Sequence, residues 1–341
     1  MSKSKEDLLF ADFDSRTQWP PPDKMPADFD WQKIMEIGKD PGLDIRDLHK
    51  QGITGSGIGF AIIDQPLLIE HQEYKDRFRL YEEINISPGT ESQMHGPAVA
   101  SIAVGKTVGV APEADLYYIG AWTGDWGTGG NDFTWNFKYY AQAVHRILEI
   151  NQNLSEDRKI RVITMQVGWD PSQAGYDEIT AAVNEAKAAG IFVISSSLSQ
   201  TDELYFHGLG RNPLDDPNQF MSYTPGLWWE KGFYAGEILN SYPRDAWKKM
   251  LLVPMDARTT ASPTGAEDYV FYREGGWSWS IPYLGGMFAL TAQVKPDITP
   301  EEFWGTALET GRTIQIQHDG RDYEFGVILD PQALIEALKS K

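Results

Sequence analysis

The feature that most constrains this chain is a repeated switch of hydrophobic pattern. Strand-length apolar runs occupy Ile58–Asp64, Ala114–Ala121, Ile160–Val167, Gly190–Ser197 and Met250–Met255, and helix-like stretches occupy Pro97–Val104, Phe133–Ile150, Tyr176–Ala189 and Trp277–Ala292. Strands that are apolar throughout are buried on both faces, and strands separated by helical segments are joined by crossovers. The class is therefore α/β with a mostly parallel sheet. Two regions break the rhythm. Residues 1–50 carry Trp19-Pro20-Pro21-Pro22, Pro26 and Pro41 among many acids, which favours extended chain over a long helix. They read as an N-terminal arm, with a short helix over Trp31–Ile37, lying over a domain formed by residues 51–341; a disordered tail is the alternative. Ser199–Pro243, rich in Gly, Pro, Asn and aromatics, reads as an irregular excursion. Pro331–Lys341 is expected to form a final surface helix.

Charge and composition narrow the functions. There are 30 Lys and Arg against 49 Asp and Glu, a net charge of −19. Such a surface repels phosphate backbones and anionic membranes, so neither nucleic acid nor a membrane is the expected partner. The chain has no cysteine, which removes disulfides, thiolate metal sites and a Cys nucleophile. No window approaches the roughly 18 apolar residues of a membrane span, and no signal-peptide apolar region opens the sequence, so a cytoplasmic location is expected. No Gly-x-Gly-x-x-Gly or Walker-type loop follows a strand, which weighs against nucleotide binding.

In an open parallel sheet, reactive groups collect at the carboxyl ends of strands. Asp64 ends the first run, His95-Gly96 precedes a helix beginning near Pro97, and Ser278 heads the apolar stretch Ile281–Ala292. Separately these are a turn Asp, a structural His and a helix N-cap. Together they are the three parts of a nucleophilic relay. A serine hydroxyl needs a base to take its proton, and the imidazole needs a carboxylate to fix its tautomer.

Their order, Asp, His, Ser, is that of the subtilisin-like serine peptidases, and the chain resembles that family from about Gly52 to Thr310. Gly52-Ile53-Thr54-Gly55-Ser56-Gly57-Ile58 leads to Asp64 as in the family, and His71 falls where members often carry a His. His95-Gly96-Pro97-Ala98-Val99-Ala100 is similar to the family's His-Gly-Thr-His-Val-Ala. Gly109-Val110-Ala111-Pro112-Glu113-Ala114-Asp115-Leu116 is close to Gly-Val-Ala-Pro-x-Ala-x-Leu, the most specific match. Gly276-Trp277-Ser278-Trp279-Ser280-Ile281-Pro282 resembles Gly-Thr-Ser-Met-Ala-x-Pro. The resemblance implies a three-layer subtilisin-like fold, with helices on both faces of the sheet. It implies a serine endopeptidase acting through an acyl-enzyme, with Ser278 as nucleophile, His95 as base and Asp64 as its orienter. Peptide or protein is the implied substrate, and no cofactor is required. Family members often hold structural calcium, so the resemblance allows a calcium ion without assigning its ligands; Asp215-Asp216-Pro217-Asn218 offers clustered oxygens but carries no transferable ligand pattern and reads as solvated surface.

The departures point elsewhere. In register with the family's Ala-Ala-Gly-Asn, whose Asn donates to the oxyanion, this chain has Ser196-Ser197-Leu198-Ser199. Ser199, with the Ser278 amide, is then the oxyanion donor of a slower enzyme. Trp277 replaces the family Thr beside the nucleophile, and together these changes leave a second reading: a catalytically impaired, subtilase-fold peptide-binding or scaffolding protein. The family binds extended peptide as an added strand. Gly127, Gly129 and Gly130 fall on one implied groove edge, and Gln166 and Gly168 on the other, where Gln166 either narrows the first specificity pocket or is a polar rim residue. The tryptophans read chiefly as packing. The Thr17–Asp23 stretch either masks the cleft or packs on the back of the domain.

Overall fold

The N-terminus is folded onto the rest of the chain rather than trailing from it. In the computed structural model, which describes residues 4–126, 132–237 and 246–340, the arm contributes α1 (Lys5–Leu9), β1 (Phe13–Asp14), α2 (Trp31–Lys39) and α3 (Ile45–Lys50). The Asp30 carboxylate caps α2 by accepting from the Lys33 amide, and the helix buries Ile34 and Met35. β1 adds an antiparallel strand to β13 (Tyr269–Tyr272), with Phe13 opposite Phe271. Phe13, Phe29, Ile34, Met35 and Phe271 form a separate apolar core, against which the Trp19 and Trp31 rings pack. The arm is thus anchored through its aromatics. Trp19, the anchor of the Thr17–Asp23 stretch, belongs to this cluster.

Four of the five apolar runs, joined at the edge by the unanticipated strand Phe78–Ile84, form a five-stranded parallel sheet of β2 (Gly59–Asp64), β3 (Phe78–Ile84), β4 (Asp115–Ala121), β7 (Ile160–Met165) and β8 (Phe192–Ser195), in the order β3-β4-β2-β7-β8, while the fifth run, Met250–Met255, falls in a second sheet. A short hairpin of β5 (Gly124–Trp126) and β6 (Phe133–Trp135) follows β4. Helices α5 (Lys138–Gln152) and α6 (Tyr176–Ala188) cover one face, sharing a core with Ile63, Ile163 and Met165. The other face packs against α4 (His95–Val104) and α9 (Trp277–Val294). The expected helix from Phe133 begins at Lys138, because Phe133–Trp135 pair as β6.

The excursion 199–243 is more regular than its composition implies. It holds α7 (Leu198–Thr201), β9 (Tyr205–Arg211), β10 (Tyr223–Pro225) and α8 (Leu227–Ala235). β9 joins β11 (Met250–Pro254), β14 (Arg312–His318) and β15 (Arg321–Ile328) in a second, mixed sheet ordered β10-β9-β11-β15-β14. β12 (Arg258–Ala261) pairs with β13. Helices α10 (Pro300–Thr310) and α11 (Pro331–Lys339) close the chain.

Helix α9 lies between the two five-stranded sheets, against β7 and β8 on one side and β9 and β11 on the other. Every residue from Trp279 to Ala292 is buried, which is why this helix has no polar stripe. It approaches the parallel sheet closely: a Cβ at Gly285 would lie 2.6 Å from Phe60 Cζ and 2.7 Å from Thr164 Cγ2. The close packing fixes the head of α9 at the carboxyl edge of the sheet.

Candidate active site

Asp64 closes β2, the middle strand of the parallel sheet, and its side chain is 3% exposed. Its Oδ1 accepts the Gln65 amide at 2.7 Å and His95 Nδ1 at 2.7 Å. His95 is the first residue of α4. A Cβ at the next residue, Gly96, would lie 2.6 Å from the Gln65 carbonyl oxygen and 2.7 Å from the Tyr118 hydroxyl. Glycine lets the helix start press onto the chain leaving β2, and this brings the imidazole to Asp64. The contact assigns the ring proton to Nδ1 and leaves Nε2 as the basic nitrogen. Burial pushes the imidazole pKa down, but the charge and hydrogen bond of Asp64 outweigh it, so the net shift is upward from 6.5.

Ser278 is the second residue of α9. Gly276 enters the helix fully extended, the Trp279 amide bonds to the Gly276 carbonyl at 2.9 Å, and no side chain caps the helix. First-turn amides, including that of Ser278, have no acceptor within the helix. The Trp279 ring packs on His95 with centroids 5.6 Å apart and meets Tyr272 edge-on at 5.3 Å. Through Trp279 the helix head stands beside the imidazole. Among the described residues, Ser278 Oγ is not hydrogen-bonded to His95, a contact that often closes only with substrate in place.

Two supporting groups escaped the sequence reading. Asp256, between β11 and β12, accepts the amides of Leu227 and Gly275, each at 2.8 Å. It therefore pins the loop before Ser278 to the start of α8. Burial raises its pKa to about 6 against the opposing pull of those hydrogen bonds and of Arg273. His207, on β9, is enclosed by Trp229, Trp228 and Trp277 at 4.1, 4.8 and 5.5 Å between centroids. Burial drives its pKa to about 3, so it is a neutral packing group. Trp277, which also packs on Phe206, is thereby held in the wall formed by β9 and α8. Neither Asp256 nor His207 has a local motif; only the tertiary fold brings them near Ser278.

The remaining candidates are distributed as follows. His71 is fully buried, its Nε2 donates to the Asp268 carbonyl at 2.8 Å and its Nδ1 accepts the Glu73 amide at 3.2 Å, so both nitrogens serve the fold. Ser199 sits in the short helix α7, and its hydroxyl donates to Gln200 Oε1 at 3.0 Å. Gln166 directly follows β7 and is 8% exposed, with neither amide atom bonded within the protein. Gly168 lies against Ser196 and Ser197, and the Ser197 hydroxyl accepts the Trp169 amide at 2.9 Å. Gly127, Gly129 and Gly130 lie outside the described residues. In the Asp215–Asn218 turn, Asp216 Oδ1 accepts the Asn218 amide and Asn218 Oδ1 accepts the Asp44 amide, both at 2.9 Å. Among the described residues, no helix is long and apolar enough to cross a membrane.

Comparison with known proteins bears on the family and the fold. Subtilisin-like protease 2 of Arthroderma otae is 29% identical over 142 residues, covering 41% of this chain and 30% of that protein. Subtilisin-like protease PopC of Myxococcus xanthus is 34% identical over 80 residues, covering 20% of this chain and 17% of that protein. The chain thus spans about a third or less of the length of these relatives. In fold, it matches the solved structure of the prenylagaramide maturation protease PagA with a TM-score of 0.57, over 87% of this chain and 99% of that one, at 16% identity. The model of the Subtilase family matches residues 55–229, just over half of the sequence, from ahead of Asp64 to the first turn of α8. This chain belongs to the subtilase family.

Proposed function

We propose that the chain is a serine endopeptidase that cleaves peptide or protein substrates through Ser278, His95 and Asp64. Ser278 Oγ attacks the scissile carbonyl carbon while His95 Nε2 takes its proton. The tetrahedral intermediate collapses with cleavage of the C–N bond, and His95 returns that proton to the departing amine. Water, deprotonated by the same imidazole, then hydrolyses the ester and frees Ser278. Asp64 holds the Nδ1 proton and stabilises the imidazolium. The chemistry needs no cofactor.

The single observation that carries this reading is the 2.7 Å contact of His95 Nδ1 with Asp64 Oδ1, with the ring of Trp279, neighbour of Ser278, packed on the same imidazole. A His engaged only in packing has no need of a buried carboxylate at the end of the central strand. The test is intact-mass analysis after incubation with a fluorophosphonate. A single adduct that is absent from Ser278→Ala is expected. No adduct on the full-length chain, paired with measurable binding of an extended peptide, would transfer the site to the peptide-binding reading that Trp277 and Ser199 support.

A further inference from the structure

A serine peptidase must hold the oxygen that becomes negative in the tetrahedral intermediate, and a backbone amide is rarely its sole donor. The Ser278 amide can be one. Ser199 is poorly placed to be the other: it lies within a helical turn, and its hydroxyl is committed to Gln200 Oε1 at 3.0 Å.

A stronger donor stands on the neighbouring strand. Ile63 pairs with Met165, and Met165 with Ser195. The next residues of the three strands, Asp64, Gln166 and Ser196, therefore stand side by side at the carboxyl edge. Side chains alternate along a strand. Ile163 and Met165 belong to the core beneath α5 and α6, whereas Thr164 meets α9 at Gly285. Carried one residue past the end of β7, the same alternation puts Gln166 on the α9 side. Ser278 lies seven residues toward the helix head from Gly285, about 10 Å along the axis. Gln166 is two residues beyond Thr164, about 7 Å along the strand direction.

This glutamine is 92% buried, yet Nε2 and Oε1 have no partner within the protein. A buried amide left unpaired costs about 1–3 kcal/mol per group, and natural proteins pair nearly all such atoms. Other buried atoms without partners lie on Thr164, Trp277, Trp279 and Ser280, and also on Trp19, Ser92, Arg258, Arg273, Tyr283 and Trp304; Gln166 is set apart by its place at the carboxyl edge of the parallel sheet, directly after the strand paired with that of Asp64.

We propose that the Gln166 side-chain amide is the second oxyanion donor, its Nε2–H and the Ser278 N–H together receiving the oxygen of the tetrahedral intermediate. Gln166 then takes, from the adjacent strand, the role that the family Asn fills at the end of β8. This rests on the peptidase reading given above.

The test uses Gln166→Met, which keeps the volume without the donor, and Gln166→Glu, which keeps the shape and replaces the N–H with an acceptor. Ser199→Ala is measured in parallel. Each is assayed for peptide turnover and thermal midpoint in the full chain. Loss of one oxyanion donor costs ~10²–10³ in kcat in subtilisin, and the same range is expected for both Gln166 variants, with KM within about threefold. Because Gln166→Met removes an unpaired buried amide, its thermal midpoint should equal or exceed that of the parent. A merely structural glutamine would lower that midpoint, and a pocket wall would move KM instead. Wild-type kcat in Gln166→Met, a loss confined to KM, or a loss carried by Ser199→Ala would overturn the proposal. Failure of the unmodified chain to take a fluorophosphonate at Ser278 would sink the parent reading itself, whereas labelling with unchanged Gln166 variants would sink only this one.

Discussion

The two sides of the site are built in opposite ways. On the side of β2 and α4, the groups that hold the imidazole are already paired. Asp64 Oδ1 holds the Gln65 amide and His95 Nδ1, and Gly96 lets the helix press close enough to make that contact. On the side of β7 and β8, Gln166 is buried and unpaired, and Ser199 is turned to its own neighbour. In the proposed mechanism the first side orients the base already in the resting protein, and the second receives the charge that appears during the reaction. Deletions on the first side should therefore alter pH behaviour, and deletions on the second should alter turnover alone.

The largest effect should come from Ser278, the nucleophile of the proposed mechanism. Ser278→Ala should lower kcat by about 10⁶, the scale found when the nucleophile of such a triad is removed, while an extended substrate peptide still binds, as titration calorimetry would register. Asp64→Asn comes next. An amide in place of the carboxylate presents the wrong hydrogen-bonding face to Nδ1, and a loss of ~10⁴ in kcat is expected. Retention of a tenth of the activity would break the claim that this side sets the tautomer. Gln166 follows at ~10²–10³.

The pH dependence sharpens the contrast. The base works only when neutral, so kcat/KM should fall as pH drops through the pKa of His95, which lies above 6.5 because Asp64 outweighs burial. In Asp64→Asn the burial effect stands alone and the acid limb should move to lower pH, whereas Gln166→Met should leave it in place. A limb that moves with Gln166 and not with Asp64 would reverse the assignment of the two sides.

Asp256 provides a test in stability. Its folded-state pKa is raised from 3.8 to about 6, so the native state favours its protonated form. The associated stability is fully present below about pH 4 and is lost as pH rises toward 6. At most, the shift of roughly two units is worth about 3 kcal/mol. Measured by denaturant unfolding, Asp256→Asn should gain on the parent protein across that interval; a constant difference between the two would mean that Asp256 is not desolvated in solution. The smallest effect belongs to Ser199→Ala, within about threefold in kcat, since its hydroxyl is engaged with Gln200.

Much of the closed side was legible in the sequence. The continuous apolar runs at Ile58–Asp64 and Ala114–Ala121 announced buried parallel strands, and the helices from His95 and Trp277 followed from long apolar stretches behind a helix-starting Pro or a Gly pair. Phe78–Ile84 went unread because, at the sheet edge, it carries Arg79, Glu82 and Glu83 on a half-exposed strand. Of the second sheet only the run Met250–Met255 was legible; β9 and β10 interleave Gly, Arg and Pro with apolar residues, and β15 and β14, which extend the sheet beyond β11, lie far along the chain. In the arm, the helix over Trp31–Ile37 runs on to Lys39, and the aromatic anchor at Phe13 gives no periodic signal.

The open side was harder to read for a physical reason. A motif register assigns Ser199 to the place of an Asn, but register says nothing of backbone shape, and at Leu198 the chain turns into α7. Gln166 appeared as a pocket or rim residue because the sequence could not show that its amide is buried and without partners. Asp256 acts through the Gly275 amide from 19 residues away, a distance that no local pattern spans.

The most direct test of the account is the rate at which fluorophosphonate labels Ser278 as a function of pH, measured on the unmodified chain and on Asp64→Asn. We expect one adduct per chain, at Ser278. Its rate should rise along a single titration with a midpoint above 6.5 in the unmodified chain and should be strongly depressed in the variant. An adduct at another residue, or a rate at Ser278 that ignores both pH and Asp64, would contradict a nucleophile activated by the Asp64–His95 pair.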